Sequence, residues 1–583
     1  MGLKYICSCS KWSFLAIVFV AELAFHGLSY AEKAPNFSFI QEATSAPAFS
    51  FYDYIIIGGG TAGCPLAATL STRDANVLVL ERGGSPYVNT TKIRAENFFP
   101  TLTDTSPDSF SQAFISEDGV SNNRARVLGG GTVINVGFYS RAETFFLKQT
   151  GLDETLANES YKWVENKLVY KPVVLQWQSA VRNGLLEVGV LPDNGFTYDN
   201  INGTKTGGTI LDGNGNRHTA ADLLEYANPR RIKVYLHAVV QKIIFTTTMI
   251  KVGSRPKAEG VIFYDANGVK HMAFLKNDSR NEIILSAGAI GSPQLLLLSG
   301  IGPAARLQGL GIKVVLNQPM VGQEMADNPL NGLIIPSPLP IELSLTKIVG
   351  ITNFGSYLES ISGFDFSALS VSGTQRLADD FTTIANLTGK NSMAFEQEVA
   401  NSTTNLGFIV EMVNGPISKG YLELQNTNAS DNPKVRFNYF QAPEDLRKCV
   451  QGVKTLINVV NSKSFSRFRY RNTTTQDLLK MMVNMPVNLR PKHPNSAMSL
   501  EQYCNDTVMT QWHYHGGCQV GKVVDRDYKV LGVDSLRVID ASTFSFSPGT
   551  NPQATLMMLG RYMGRKILQS RRRRSNLVSY KIA

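Results

Sequence analysis

The chain has 583 residues and a mass of 64.0 kDa, 43% of it hydrophobic and 18% charged, which excludes a disulfide mini-protein, a collagen-like fibre and a low-complexity scaffold. Chains of this size bury roughly three quarters of their extended surface, enough for a large core. The net charge of +10 is diffuse, and its one dense run, Arg571–Arg574, reads as a solvated basic tail, so nucleic acid is not an expected partner.

The first thirty residues read as an export signal. Lys4 and Lys11 charge the front, Phe14 to Phe25 is apolar, and Ser29-Tyr30-Ala31 offers small residues for cleavage. The apolar core is too short to anchor in a bilayer and contains Glu22, and no later stretch nears the ~18 apolar residues of a span. Ten Asn-X-Ser/Thr sequons agree with secretion: Asn36, Asn89, Asn158, Asn202, Asn277, Asn386, Asn401, Asn428, Asn472 and Asn505. Cys7 and Cys9 would leave with the signal. Of Cys64, Cys449, Cys504 and Cys518, Cys64 lies in a glycine-rich turn, so Cys449 with Cys504 is the preferred disulfide among three possible pairings. No metal is expected, because His513 and His515 stand close together without further ligands.

Asp53–Ile57 is an apolar run of buried-strand length, followed by Gly58-Gly59-Gly60-Thr61-Ala62-Gly63, a helix over Pro65–Leu70 and a second strand over Asn76–Leu80 ending in Glu81-Arg82. Gly58 makes the tight turn, Gly60 lets backbone approach a pyrophosphate, and Gly63 lets helix and strand pack closely. The helix N-terminus faces the phosphates, and Glu81 is placed to accept from the adenosine ribose. Glu81 argues against a 2′-phosphate but leaves NAD and FAD both open.

Ala125–Asn135 is a second glycine-rich segment, suited to laying backbone against a flat ring system. Lys171–Val190 reads as a helix and Asn194–Asn216 as a loop. A strand covers Val239–Phe245. Ser286–Gly302 reads as a strand end, a tight turn and an apolar helix stopped by glycine. Residues 336–410 show little pattern and are expected to line a pocket, with Ser367–Thr404 as a surface loop or lid. Thr550-Asn551-Pro552 reads as a helix start, Asn551 at N-cap and Pro552 at the first helical position, before Leu556, Leu559, Met563 and Ile567 at helical spacing.

These three glycine-bearing segments, in this order, resemble the glucose–methanol–choline (GMC) oxidoreductases. The likeness continues through Val321-Gly322, Asp327-Asn328-Pro329, Trp512–Cys518, Leu536–Ser542 and Ser547–Gln553, covering about residues 50 to 570. The wording is most similar to the plant branch that holds HOTHEAD-like proteins and flavin-containing mandelonitrile lyases. The resemblance implies an α/β (α+β overall) chain with a Rossmann-like FAD-binding domain built from discontinuous segments and a substrate domain on a mostly antiparallel sheet. The expected layout is 1–31 signal, 32–50 leader, 51–335 FAD-binding portion, 336–504 substrate domain, 505–570 C-terminal active-site and FAD segment, and 571–583 basic tail.

Carried over residue by residue, the resemblance puts Thr61 and Ala62 at the pyrophosphate and Glu81 and Arg82 near the adenosine. Val127, Thr132, Asn135, Val136, Gly137 and Phe138 would lie along the flavin, and Val240 near the adenine. Trp512, Ala541, Pro552 and Gln553 would close the site. Where some members carry a tethering histidine this chain has Ile134, so non-covalent FAD is implied. The family's active histidine maps to His513 in place of His515. A neutral imidazole suits removal of a hydroxyl proton while hydride leaves for the flavin, and the Asn551 amide could bind the substrate oxygen beside it.

Mandelonitrile lyases carry a histidine where this chain has Asn551, a tyrosine where it has Gln511, and a pocket cysteine where it has none between Cys64 and Cys449. The resemblance therefore favours a secreted, monomeric alcohol dehydrogenase or oxidase acting on long-chain ω-hydroxy fatty acids, with the electron acceptor unknown. The alternatives are a cyanohydrin lyase and a catalytically silent flavoprotein acting in cell–cell contact.

Overall fold

Runs of four apolar residues are too short for helices and become strands buried on both faces. The computed structural model describes residue 35 and residues 37–246, 255–364 and 405–582, with side chains to residue 572. The export signal, Asn36, Asn386, Asn401 and the whole of the expected Ser367–Thr404 loop lie outside the described residues.

Tyr54–Ile57 and Val77–Leu80 sit side by side in a six-stranded parallel sheet, in the order Ile40–Glu42, Ile232–Leu236, Val77–Leu80, Tyr54–Ile57, Glu282–Leu285 and Leu536–Val538. Strands remote in sequence thus share one sheet, and both glycine turns, after Ile57 and after Leu285, leave its same edge. The helix Gly63–Leu70 is wholly buried. The long C-terminal helix Gln553–Ile582 packs on it through Gly560, where a Cβ would lie 2.2 Å from the Ala62 carbonyl oxygen. Val239–Phe245 forms, as expected, a strand at the edge of a separate four-stranded sheet.

The second large sheet has seven strands, in the order Met509–Thr510, Pro329–Pro336, Leu406–Val413, Ser356–Ser362, Ile348–Ile351, Gly203–Thr206 and Asp193–Phe196. All its pairings are antiparallel except the last. The helix Pro443–Asn461 packs on it and carries Cys449, bonded to Cys504 of the helix Leu500–Thr507. A bridge across 55 residues stabilises the fold by about 4 kcal/mol in the chain-entropy picture.

Two local readings are corrected. Gly203–Thr206, read as loop, is a fully buried strand. Its polar Lys205 is tolerated because the ammonium donates to Ser140 Oγ at 2.8 Å and to the Asp199 carbonyl at 2.5 Å, while burial pushes its pKa down to about 7. Arg571, read as the start of a solvated tail, lies on the helix Gln553–Ile582 and docks against the parallel sheet, donating to Asn281 Oδ1 at 2.9 Å and Tyr54 Oη at 3.2 Å and pairing with Asp53 at 3.4 Å. Among the described sequon asparagines, all are exposed except Asn505, which is half-buried.

Candidate active site

One cavity of about 350 Å³ runs from the glycine turns of the parallel sheet to the face of the antiparallel sheet. At the first end Gly58 has φ +99°, and a Cβ there would lie 2.5 Å from the Ser286 carbonyl oxygen, so the turn demands glycine. The second glycine-rich segment crosses this turn: Gly129 N–H donates to the Gly59 carbonyl at 2.7 Å, and a Cβ on Gly130 would sit 2.8 Å from Gly60 Cα. Its first task is therefore to let two loops touch, and its following residues, Asn135 and Val136, then reach the cavity wall.

Glu81 lines the cavity, but each carboxylate oxygen already accepts a backbone N–H, from Gly59 and from Gly83, both at 2.9 Å. Burial raises its pKa while these bonds oppose the shift. Each oxygen keeps a lone pair for a ribose hydroxyl. Gly58, Gly60, Thr61, Ala62 and Arg82 line the same end, with Val127, Phe138 and Val240 further along. Trp512, Ala541, Pro552 and Gln553 close the cavity from the C-terminal segment.

Three residues assigned to the cofactor do not reach the cavity. Gly63 packs on the turn itself, where a Cβ would lie 2.0 Å from the Gly58 carbonyl oxygen. Thr132 spans the backbone, donating to the Gly129 carbonyl at 2.7 Å and accepting from Ala220 N–H at 2.9 Å. Gly137, at φ +73°, turns the chain beside Leu211. They shape the wall from behind.

Two arginines escaped the sequence reading. Arg124 lines the cavity, bonded to Gln294 and Gln112, with Nη2 buried and unpartnered. Arg217 is buried behind Asn135, donating to Asn135 Oδ1 at 3.1 Å and the Ile93 carbonyl at 2.9 Å, and burial pulls its pKa down to about 9. Asn135 also donates to Gln553 Oε1 at 3.0 Å, tying the second glycine segment to the C-terminal helix.

At the opposite end Trp512 holds φ +58°, a strained value for a side-chain-bearing residue. Asp327 fixes that turn: Oδ1 accepts from His513 N–H at 2.8 Å, and Oδ2 accepts from Thr510 and Tyr439 hydroxyls, both at 2.6 Å. Burial pushes Asp327 up to about 6. The strained turn presents His513 to the cavity. His515, outside the lining, spends Nδ1 on the His513 carbonyl at 3.0 Å. Burial, with His515 adding, holds His513 at about 3, so its imidazole is neutral at any ordinary pH. His513 Nδ1 has no partner.

Asn551 lines the cavity but is not the helix cap. The Pro552 carbonyl takes the first helical bond, from Leu556 N–H at 2.9 Å, so the cap position falls on Pro552 and Asn551 stands one residue outside. Freed from capping, its side chain faces the same cavity as Glu359, a buried carboxyl that sequence reasoning missed, which accepts from Thr346 Oγ1 at 3.3 Å. Beyond them the wall is apolar, with Phe98, Phe99, Leu102, Ile361 and Phe408.

The cavity fits a dinucleotide cofactor on its own geometry. The space a Gly60 Cβ would take has no protein atom nearer than 3.7 Å, so bare backbone faces the cavity, and the unpartnered Nη2 of Arg124 supplies a donor for an anionic group.

A parallel sheet with glycine turns, joined through one cavity to an antiparallel sheet with a neutral histidine in the turn after its edge strand Met509–Thr510, defines a dinucleotide-binding oxidoreductase architecture. The profile described as GMC oxidoreductase matches residues 52–330 and 416–560, and the chain belongs to that family. It is 52% identical over 534 residues to Protein HOTHEAD of Arabidopsis thaliana, covering 90% of this chain and 89% of that one. It is 45% identical over 545 residues to an (R)-mandelonitrile lyase-like protein of the same plant, covering 93% and 94%. A sinalpyl alcohol oxidase, Nec3, of Nesocodon mauritianus is 43% identical, with 91% of each chain covered. Among solved structures, a formate oxidase of Aspergillus oryzae superposes with TM-score 0.71 at 18% identity, covering 90% of this chain and 99% of that one, a likeness of fold. Family and fold together support FAD as the cofactor.

Proposed function

We propose that this chain is a secreted oxidoreductase that converts a primary alcohol to its aldehyde, using FAD held non-covalently. The observation that carries the reading is His513: buried, uncharged and presented to the cavity by a strained turn, where a free-base imidazole can take a hydroxyl proton. Bound FAD would supply the hydride acceptor. Gly60 backbone and Arg124 would hold its anionic part, Asn135 and Val136 would lie along the ring, and Ile134 offers no nucleophile for a tether. Asn551 would hold the substrate oxygen beside His513 as negative charge develops there.

Support for the substrate class comes from the phenylalanine- and leucine-lined wall, which suits an apolar chain, and from kinship with HOTHEAD and an alcohol oxidase. A long-chain ω-hydroxy fatty acid combines that chain with a terminal hydroxyl. The cyanohydrin-lyase reading is weaker, since Gln511 and Asn551 line the cavity where lyases were expected to carry a tyrosine and a histidine. Secretion, glycosylation, a monomeric state and the split into FAD-binding and substrate portions belong to the same proposal.

The test is product analysis with purified holoenzyme. A long-chain ω-hydroxy acid, an aromatic primary alcohol and mandelonitrile are supplied separately with an artificial electron acceptor. Aldehyde from either alcohol supports the reading. Benzaldehyde and cyanide from mandelonitrile, with the alcohols untouched, would replace it with the lyase, and no turnover of any kind would leave the surface role.

A further inference from the structure

The helix Gln553–Ile582 presses on the helix Gly63–Leu70 through two glycines. A Cβ on Gly560 would lie 2.2 Å from the Ala62 carbonyl oxygen, and one on Gly564 2.7 Å from Thr69 Cβ. Beside that seam runs a groove of about 280 Å³, lined by Arg561, Arg565, Gln569 and Arg572 of the long helix and by Thr72 and Arg73 after the short one. Arg561, Arg565 and Arg572 stand at i, i+4 and i+11, so one helix face carries a row of guanidiniums about 16 Å long. Other cations of this helix are neutralised, Lys566 by Asp527 at 3.2 Å and Arg571 by Asp53 at 3.4 Å. Among the described residues, Arg73, Arg565 and Arg572 have no ion-pair partner. Asp74, next to Arg73, is fully exposed and pairs with Arg231 at 3.8 Å, and Glu159 is the carboxylate that acts on Arg561.

Arg561 is fixed in place. It donates to Thr69 Oγ1 at 3.1 Å, and its guanidinium carbon lies 4.6 Å from the centre of the Trp163 ring. Burial, with Arg565 adding, pulls its pKa down to about 10. Like charges one helical turn apart oppose folding, and a fold that keeps such a conflict keeps it where function uses it. We propose that this groove binds a linear polyanion outside the cell, an acidic polysaccharide whose carboxylate or sulfate groups pair with successive arginines. A row this long exceeds the reach of one small anion, whereas a polymer brings one charge after another along it. The guanidinium fork matches the paired oxygens of such groups, and Thr72 and Gln569 offer hydrogen bonds to sugar hydroxyls. Single-stranded nucleic acid would call for free aromatic faces, and the Trp163 ring is taken up by Arg561. A bilayer surface would call for protruding apolar side chains, and Leu568, the apolar residue of this lining, is half-buried.

The proposal goes beyond alcohol oxidation and shares with it only the expectation of secretion. Purified holoenzyme is titrated with labelled polygalacturonate, dextran sulfate and neutral dextran, and binding is read by fluorescence anisotropy. The variants are R565Q with R572Q, R73Q alone, and K313Q with K454Q, a charge-matched control in two exposed lysines on other elements. Wild type should bind one or both acidic polymers and not dextran, and salt should weaken the binding. The stronger of the two polymers identifies carboxylate or sulfate as the charged group. R565Q with R572Q should weaken binding about tenfold, the scale of two exposed charge pairs, and R73Q about threefold, with the control pair at the wild-type value. Flavin content should be the same in all variants, and the thermal midpoint of R565Q with R572Q should hold or rise, because a like-charge contact is lost. Equal weakening in the control pair would overturn the proposal, since binding would then follow net charge alone. So would acidic polymers that bind no better than dextran, or capture by phosphatidylserine vesicles alone. Because binding is read without turnover, its failure leaves the alcohol reading standing, and a holoenzyme that oxidises no alcohol leaves the groove to be decided by the polymers.

Discussion

The two ends of the cavity are built on different principles. At the cofactor end the wall is backbone: Gly58 lies against Ser286 and Gly130 against Gly60 at separations that permit no side chain at position 58 or 130, and Glu81 spends both oxygens bracing the turn. At the substrate end the wall is side chain, and several polar atoms are left without partners, among them His513 Nδ1, Asn551 Oδ1 and Glu359 Oε1. Unpaired buried polar atoms cost stability, and a fold retains them where chemistry uses them. One end is thus fixed by sterics and the other is poised.

That contrast can be broken from either side. The largest effect is expected from H513A, which should lower kcat on an alcohol by about 10³-fold, within the range for losing a general base, while the flavin-to-protein absorbance ratio stays at the wild-type value. A drop in flavin content would show that the two ends are not separable. The complementary variant is G130A: its Cβ would meet Gly60 Cα at 2.8 Å in a residue at φ +59°, so the protein should be recovered largely without flavin.

A smaller effect tests the scaffold that holds the ends together. C449S with C504S removes the bridge across 55 residues and should lower unfolding free energy by up to about 4 kcal/mol in denaturant titration, with flavin retained under native conditions. The smallest effect concerns pH. With His513 held at about 3 by burial and by His515, its imidazole is already the free base throughout pH 5 to 8, so kcat/KM should show no acid limb from it in that range. A fall centred near the ordinary histidine value would show that water reaches the site.

The contrast also explains what the sequence could disclose. The strand Tyr54–Ile57, the helix after it, the strand Val77–Leu80 and Glu81 were legible because backbone contact with a cofactor imposes glycine at fixed spacing. Glu359 was not: a buried carboxyl in a strand has no local signature. Asp327 was quoted only as part of a resemblance, and what it does lies in His513, 186 positions away. Gly203–Thr206 was read as loop because its polarity is paid for by long-range hydrogen bonds to Lys205. Asn551 carried a local helix-start signal, which the fold satisfies one residue later and so releases the side chain for the cavity.

The most direct test of the account is anaerobic addition of an alcohol to wild-type holoenzyme and H513A while the flavin absorbance is followed. Hydride transfer assisted by His513 predicts rapid bleaching in the wild type and bleaching slowed by about three orders of magnitude in H513A. A flavin that stays oxidised in the wild type with every alcohol offered, while mandelonitrile is split, would contradict it.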